Sequence, residues 1–407
     1  MKKIIISILA IAFLFSACTR ESTPLLPEKN TESAVEEEEM YIRSVWFTYY
    51  ELQNLMTDNE GLFYGNVRTA FETVKNIGFN TVTVQVRPCA DAFYKSQYFP
   101  TSEYCLGTQG TVLPFDPLGV MCAAADELGL RIEAWVNPYR VSQKNDINAL
   151  CDTNTAKLWY NDEETKSYVS VLKKGIYFNP AVSAVTELIV NGVRELVSNY
   201  DIDGIHFDDY FYPTAHKKID KKEYEAYKNS GGELSLDDWR RENINNMVQS
   251  VYSAVKEINP AVTFGISPAS NISDDYNSLY ADVEKWVGSD GFADYICPQI
   301  YFGFKNVYQP FMFTVKKWIG ITEKCRLYVG LPLYKCGKAD KYAAKNEKER
   351  INEFVNNRNI IARQITYLSK IEDVGGFYVF SYSSIIDESK KEEVENMKSA
   401  MQNSSQP

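Results

Sequence analysis

Two adjacent carboxylates, Asp208 and Asp209, end a short β-rich run at residues 204–208 and are the residues best suited to chemistry in this sequence. Side chains alternate along a strand, so Asp208 and His206 share the face opposite the apolar residues of the run. Such a pair suits glycoside hydrolysis, in which one carboxylate attacks or stabilises an oxocarbenium-like centre and a carboxylic acid protonates the leaving oxygen. We therefore predict Asp208 as nucleophile or electrostatic stabiliser and Asp209 as the provisional acid. Asp91, which could equally serve a turn, is the reserve catalytic candidate.

Polar and aromatic side chains near other strand ends could hold a sugar. Arg, Asn and Gln can hydrogen-bond to sugar hydroxyls, and Trp and Tyr rings can stack on the apolar faces of pyranose rings. The predicted substrate-binding residues are Arg87, Trp135, Asn137, Arg140, His206, Tyr210, Gln299, Tyr301 and Tyr382.

Structural roles are the alternatives for several of these residues. Asp208 could form an ion pair with Arg87 or Arg140 that only holds the fold together, and any one of the aromatic rings could belong to the core. Asp209 could be a loop residue that orients the aromatic residue after it. Glu133, one layer deeper in its strand than the predicted site, is interpreted as a satisfied core carboxylate.

The elements that must position these residues alternate between short apolar strands and longer stretches of helical period. The predicted strands are 44–49, 81–87, 131–137, 204–208, 262–267, 295–301, 327–331 and 376–382. The predicted helices are 66–77, 117–128, 182–200, 236–258, 277–287, 310–320, 348–369 and 387–401. Eight such units with near-continuous apolar strands predict an α/β fold, a single-domain (β/α)8 TIM barrel over residues 41–402. An open doubly wound sheet is disfavoured, because no glycine-rich loop follows the first strand.

The N-terminal residues are predicted to be a targeting segment rather than part of the barrel. Lys2 and Lys3 precede an apolar run too short to span a bilayer, which predicts a signal peptide over residues 1–17. The run ends in small residues before Cys18, a pattern that resembles the bacterial lipobox, so Cys18 is the predicted lipidation site. An ordinary secretory peptide is the alternative. We predict a disordered acidic linker over residues 18–40, a disordered tail over residues 403–407, and anchoring in the cell envelope at the outer membrane.

Composition excludes other classes of partner. The chain has 43 Lys and Arg against 54 Asp and Glu, a formal charge of −11 that disfavours nucleic acid and favours a neutral glycan over a polyanion. It has only two histidines and no closely spaced cysteine pair, so we predict no metal site and no cofactor. The cysteines after Cys18 are predicted to be mostly free and buried. Aromatic residues make up 14% of the chain, which is consistent with a sugar-stacking rim in addition to core packing.

Seven sequence blocks, in order, resemble the glycosyl hydrolase-like 10 family of bacterial envelope proteins. They lie at residues 85–88, 91–94, 134–141, 203–213, 238–241, 264–268 and 298–301. The resemblance implies a TIM-barrel glycosidase-type domain, often on lipoproteins, with peptidoglycan glycan strands as the substrate class and Asp208 at the centre of the site. This sequence departs from the family at Glu133, where a His is expected, and at Cys89, where a smaller residue is commoner.

Two other functional classes compete with a glycosidase. The first is a glycan-binding envelope lipoprotein whose barrel retains a ligand without turnover. The second is a metal-dependent deacetylase, which would lose activity on chelation.

Overall fold

The computed structural model describes residues 40–214, 216 and 218–403. The predicted signal peptide, the lipidation site Cys18, the linker up to residue 39 and residues 404–407 lie outside the described residues. No helix in the described ranges combines the length and apolarity needed to cross a bilayer.

Strands and helices alternate along the described chain. The strands are β1 (Ile42–Phe47), β2 (Thr81–Arg87), β3 (Arg131–Val136), β4 (Arg140–Ser142), β5 (Val169–Leu172), β6 (Gly175–Phe178), β7 (Gly204–Phe207), β8 (Thr263–Ile266), β9 (Tyr295–Ile296), β10 (Arg326–Leu331) and β11 (Val374–Phe380). The helices are α1 (Tyr49–Leu55), α2 (Glu60–Ile77), α3 (Glu103–Leu106), α4 (Pro117–Glu127), α5 (Thr155–Asn161), α6 (Ser183–Asn199), α7 (Lys221–Asn229), α8 (Leu236–Ile258), α9 (Ile272–Ser278), α10 (Val283–Gly288), α11 (Phe311–Ile319), α12 (Lys348–Ile351), α13 (Glu353–Asn356), α14 (Ile360–Leu368), α15 (Tyr382–Ile385) and α16 (Lys391–Gln402).

Eight of these strands close into a parallel barrel, which confirms the predicted (β/α)8 TIM-barrel fold. Their spatial order is β1-β11-β10-β9-β8-β7-β3-β2, and each pairing around the barrel is parallel. The register places Trp135 of β3 beside His206 of β7, so inward side chains of neighbouring strands meet in one layer. The carboxyl ends of all eight strands therefore open on the same face.

Three predicted elements are shorter or broken in the structure. The sixth barrel strand ends at Ile296 rather than at residue 301, because Pro298 has no backbone N–H for the ladder. The predicted helix 277–287 is instead the pair α9 and α10, separated by Tyr280 with a φ of 55°. The predicted helix 348–369 is the three short helices α12, α13 and α14.

A small antiparallel sheet, in the order β4-β6-β5, was not predicted from the sequence. It is built from the long connection between β3 and α6. The turn from β5 to β6 requires Gly175, whose φ is 141° and whose missing side chain would collide with the Ser142 carbonyl oxygen at 2.3 Å. This sheet adds a wall to the carboxyl-end face of the barrel.

Aromatic and polar side chains fill the barrel interior, while aliphatic residues together with Phe and Trp rings form the larger core cluster. The interior cluster consists of Ile42, Trp46, Trp135, Tyr295, Cys297, Tyr328 and Tyr378. Glu133 lies among them and accepts hydrogen bonds from the hydroxyls of Thr83, Tyr295 and Tyr378 at 2.8–3.1 Å. It is therefore the satisfied core carboxylate that the sequence indicated.

The cysteines of the described residues are free, as predicted. The buried ones are Cys89, Cys105, Cys122, Cys297 and Cys336. Cys151 and Cys325 are partly exposed.

Candidate active site

A cavity of about 300 Å³ opens at the carboxyl ends of the barrel strands. Its lining comprises Trp46, Thr48, Tyr49, Tyr50, Gln85, Trp135, Arg140, Gln143, His206, Asp208, Asp209, Tyr210, Ser267, Gln299, Tyr301, Tyr334 and Phe380. The cavity combines two carboxylates with the ring of Tyr210 and seven further Tyr, Trp or Phe rings. This is the mixture of convergent polar groups and apolar walls typical of a small-ligand site.

Asp208 is buried at the base of the cavity, with 3% of its surface exposed. Its Oδ2 accepts hydrogen bonds from Nδ2 of Asn137 and, at 3.1 Å, from Nε1 of Trp135. Burial and the negative charge of Asp209 raise the pKa of Asp208 to about 7, although Arg140 and the Trp135 hydrogen bond oppose the shift. A carboxyl with this pKa exchanges a proton near neutral pH.

Asp209 follows at the wall of the cavity and is partly exposed. Burial raises its pKa, while hydrogen bonding from Gln299 and the charge of Arg140 lower it. Two carboxyls this close repel each other when both are ionised. The Asp208–Asp209 pair therefore favours a state that holds one proton, which supplies one acid and one carboxylate in the same cavity.

Arg140 supplies the positive charge beside the pair. Its Nε donates to the Pro88 carbonyl oxygen at 2.9 Å, and its guanidinium lies 5.0 Å from the centre of the Tyr210 ring. Tyr210 is 51% exposed, so this ring forms part of the open rim. The structure thus brings six of the predicted substrate-binding residues together around the carboxylates: Trp135, Asn137, Arg140, Tyr210, Gln299 and Tyr301.

His206 lies in the floor of the cavity, but its hydrogen-bonding capacity is already used by the protein. Its Nε2 accepts from Nε1 of Trp46 at 3.1 Å, and its Nδ1 is 2.8 Å from the Tyr295 hydroxyl. Burial lowers the pKa of the imidazole to about 3, so the ring is neutral at physiological pH. His206 supports the floor rather than offering a hydrogen bond to substrate.

Arg87 lies outside the site, contrary to its predicted substrate contact. A register irregularity between Gln85 and Arg87 interrupts the alternation of β2. The Arg87 side chain instead packs on the helix side of the barrel, 4.4 Å from the Phe99 ring centre, where a Cβ on Gly192 of α6 would approach it to 2.8 Å. It is buried there, and burial lowers its pKa to about 10.

Tyr382 does not line the cavity either. Strand β11 ends at Phe380, and Tyr382 begins helix α15 instead of continuing the strand alternation. Its ring stacks on Phe47 at a centroid distance of 4.5 Å. Tyr382 is therefore a core residue.

Asp91 lines a separate cavity of about 210 Å³ beside the first. Its Oδ2 accepts a hydrogen bond from Nε2 of Gln109 at 3.0 Å, whereas its Oδ1 has no hydrogen-bond partner of normal geometry among the described residues. Burial raises its pKa to about 6. Asp91 is not among the residues lining the Asp208–Asp209 cavity, although Gln143 borders both.

The residues missed from the sequence come mainly from β1, the start of α1 and the inner face of β2. Trp46 lies near the end of β1, Thr48 follows that strand as the N-cap of α1, and Gln85 shares the inward face of β2 with Thr83. Applying the strand-end rule to β1 and the alternation rule to β2 would have found them. Tyr334, which follows β10, had no comparable signal in the sequence.

A third carboxyl, Asp275 of α9, lies near the pair and was also missed. It is fully buried, and neither of its carboxyl oxygens accepts a hydrogen bond of normal geometry from a residue that the structure describes. Burial and the negative charge of Asp209 raise the pKa of Asp275 to about 9. This carboxyl is therefore neutral at physiological pH.

The fold and the site together define a class. A (β/α)8 barrel with a carboxylate pair and an aromatic-walled cavity at its carboxyl ends has the features of a glycan-acting, hydrolase-type protein. Residues 41–348 match the model of the glycosyl hydrolase-like 10 family, and the chain belongs to that family.

Two bacterial relatives of the chain are named as glycosyl hydrolases. The chain is 34% identical over 313 residues to glycosyl hydrolase YngK of Bacillus subtilis strain 168, a match covering 71% of this chain and 59% of YngK. It is 32% identical over 291 residues to glycosyl hydrolase DigH of Escherichia coli K12, a match covering 66% of this chain and 65% of DigH. The chain thus spans less than two thirds of the length of either relative.

Solved structures share the fold at low sequence identity. The glycoside hydrolase domain of PgaB (BpsB) from Bordetella bronchiseptica matches with a TM-score of 0.59 and 11% identity, over 88% of this chain and 98% of that domain. α-L-Fucosidase isoenzyme 2 from Paenibacillus thiaminolyticus matches with a TM-score of 0.55 and 14% identity, over 89% of this chain and 49% of that one. These likenesses support the barrel fold.

Proposed function

We propose that this protein is a glycoside hydrolase that cleaves O-glycosidic bonds in peptidoglycan glycan strands. The observation that carries the proposal is the Asp208–Asp209 pair in a cavity walled by aromatic rings. Family membership adds a carbohydrate substrate class. The choice of peptidoglycan rests on the family resemblance and on the predicted anchor at Cys18, which would hold the barrel at the cell envelope.

In the proposed mechanism, Asp208 acts on the anomeric carbon and Asp209 protonates the leaving oxygen. Trp135 and Asn137 hold one oxygen of Asp208 in a fixed orientation, as a nucleophile or an electrostatic stabiliser requires. Asp209 is more exposed and lies beside Gln299, where it can reach a leaving group. The pKa values of both carboxyls are raised and the two repel each other when ionised, so the pair retains one proton near neutrality, which the mechanism places on Asp209 while Asp208 is ionised.

The aromatic wall is proposed to bind the sugar rings. Tyr50 and Tyr210 are half exposed at the rim, and Tyr301 and Tyr334 lie deeper with ring centres 5.7 Å apart. Rings at two depths could contact successive sugar units through their apolar faces. The polar edges of the sugars would then face Arg140 and the carboxylates.

The decisive experiment compares wild type with Asp208→Asn by release of reducing ends. The substrates are peptidoglycan with stem peptides, peptidoglycan without them, and a panel of other polysaccharides. We expect wild type to cleave peptidoglycan and Asp208→Asn to lose about 10²- to 10⁴-fold in rate, because the variant removes a charged catalytic group. The same change at an exposed carboxylate, Asp58→Asn, should leave the rate unchanged.

The rival functions give different results in the same experiment. A glycan-binding protein without turnover would bind glycan in both forms while neither form releases reducing ends. A metal-dependent deacetylase would release acetate and would be inactivated by a chelator. Either outcome would replace the glycosidase proposal.

A further inference from the structure

A second groove, of about 490 Å³, lies on the same face as the proposed active site. One wall consists of residues of β5, of β6 and of the turn between them, and the other consists of residues 213, 214, 216, 218 and 219, which follow β7. Among the described residues of its lining, the charged and titratable ones are Lys173, Lys174, Lys218, His216 and Tyr177, and none is an Asp or a Glu. The groove is thus a local concentration of positive charge in a chain whose formal charge is −11.

The lysines of this basic groove are exposed and make no ion pair within the part of the chain that the structure describes. Lysines elsewhere do pair: Lys157 contacts Asp152, and Lys335 contacts Asp340. Three ammonium groups without a carboxylate partner repel one another, so an anion between them would relieve that repulsion.

Tyr177 of β6 connects the basic groove to the active-site cavity. It lines the groove and is paired in register with Arg140, which lines the cavity. Tyr177 and Tyr210 also lie close enough to influence each other electrostatically. Pro213 of the groove follows Tyr210 of the cavity by three positions in the chain. A glycan that passes over Tyr210 would therefore continue toward the lysines.

We propose that the basic groove is a subsite for a carboxylate carried by the glycan that the active-site cavity cleaves. The inference rests on the proposed function and adds a substrate feature to it. The chain as a whole repels a polyanion, but the lysines offset that repulsion where the bound strand leaves the cavity. In peptidoglycan the carboxylate could belong to the sugar itself or to a stem peptide.

The test measures binding to the full-length Asp208→Asn variant by calorimetry, so it does not depend on turnover. The probes are peptidoglycan glycan fragments with stem peptides, the same fragments without them, and both after conversion of their carboxylates to neutral methylamides. We expect the methylamide form to bind about tenfold more weakly than the charged form, as for the loss of a few exposed charge contacts. This comparison is made separately for fragments with stem peptides and for fragments without them, and at least one of the two should show the effect. A sugar-borne carboxylate gives the effect without stem peptides, and a peptide-borne carboxylate gives it only with them.

The lysines are tested by the triple change Lys173→Gln, Lys174→Gln and Lys218→Gln in the same background. This variant should bind charged and neutralised fragments equally and should lose the salt dependence of binding. The matched control carries Lys316→Gln, Lys317→Gln and Lys324→Gln, which change net charge equally but lie outside the groove. Equal loss in the control, or no preference for charged fragments before mutation, would overturn the subsite. Failure of wild type to cleave any glycan would instead refute the proposed function.

Discussion

Hydrogen bonds within the protein hold the Asp208 carboxylate in one orientation before any ligand binds. Asn137 donates to Asp208, and the Oδ1 of Asn137 accepts from Nε2 of Gln85 at 2.6 Å. Gln85 in turn accepts from the backbone N–H of Tyr49 at 3.2 Å. Each amide is oriented by its neighbour, so the donor that faces Asp208 is fixed by a chain of hydrogen bonds from the start of α1 through β2 to the residue after β3. This is preorganisation of the kind that a charge-stabilising site needs.

We expect the activity of wild type to fall above about pH 7. Above the pKa of Asp208 the pair loses its remaining proton, so the acid is lost while the carboxylate stays. Arg140 lowers this pKa, and Arg140→Gln should therefore move the alkaline limb of the kcat/KM profile to higher pH. Arg194→Gln, a change of the same charge on the outer helix α6, is the control. An unmoved limb in Arg140→Gln would show that another group sets the profile.

Asp275 should make the protein less stable as the pH rises. Its pKa is about 9 in the folded protein and near the ordinary 3.8 when unfolded, so between about pH 4 and pH 9 the unfolded chain is ionised and the folded chain is not. The neutral carboxyl makes its full contribution to the free energy of unfolding below about pH 4, and this contribution is lost as the pH rises to about 9. Asp275→Asn should reduce the slope by up to about 1.4 kcal/mol per pH unit, measured by urea unfolding across pH. The exposed neighbour Asp274 provides the control variant Asp274→Asn, and equal slopes in all three proteins would contradict the prediction.

At the scale of elements, the barrel strands are joined through their interior as well as through their backbone ladders. Trp46 of β1 donates to His206 of β7, which contacts Tyr295 of β9, and Tyr295 donates to Glu133 of β3. Tyr378 of β11 also donates to Glu133. Five strands therefore meet in one hydrogen-bonded layer beneath the active-site cavity, which makes its floor rigid.

The interior layer requires a glycine in β8. A Cβ at Gly265 would lie 1.9 Å from the Tyr295 ring, too close for a small adjustment to relieve. Gly265→Ala should lower the free energy of unfolding by about 3 kcal/mol, because it displaces a ring that holds both His206 and Glu133. Gly288→Ala, where a Cβ meets nothing within 4 Å, should change it by less than about 1 kcal/mol. Equal effects of the two changes in thermal or urea unfolding would rule out the packing argument.

At the scale of the whole molecule, charge is distributed unevenly. The chain is acidic, yet the groove beside the active site carries three exposed lysines. The long connections after β2, β3 and β7 all contribute to the carboxyl-end face and build both cavities and the groove. Specificity is therefore expected to reside in these connections, while the barrel supplies the fixed carboxylates.

The predicted anchor should decide where the molecule is found in the cell. We expect the full chain expressed in a Gram-negative host to fractionate with membranes and to incorporate labelled fatty acid, because Cys18 is the proposed lipidation site. Cys18→Ala should lose the label and the membrane association while retaining glycan cleavage. Cys151→Ala, at a partly exposed cysteine of the barrel, should leave both unchanged. Unaltered membrane association of Cys18→Ala would refute the lipoprotein proposal.

The eight-unit barrel, the family and the position of the carboxylate pair follow from the sequence. Hydrophobic alternation and helical period are local signals, so they survive without knowledge of the neighbouring strands. Asp208, Trp135, Asn137 and Arg140 could be found in this way because each lies at or just after a strand end, where the fold rule applies directly.

Contacts between distant segments settle which polar residues are free to meet a ligand. Arg87 follows an irregularity in β2 that turns it toward the helices, and Tyr382 lies beyond the end of β11. His206 points inward as predicted, but partners from β1 and β9 occupy both of its ring nitrogens. Asp275 lies far in the sequence from the Asp208–Asp209 pair, and the two walls of the basic groove also come from separate parts of the chain. Each of these outcomes depends on contacts between distant segments, and strand periodicity carries no information about such contacts.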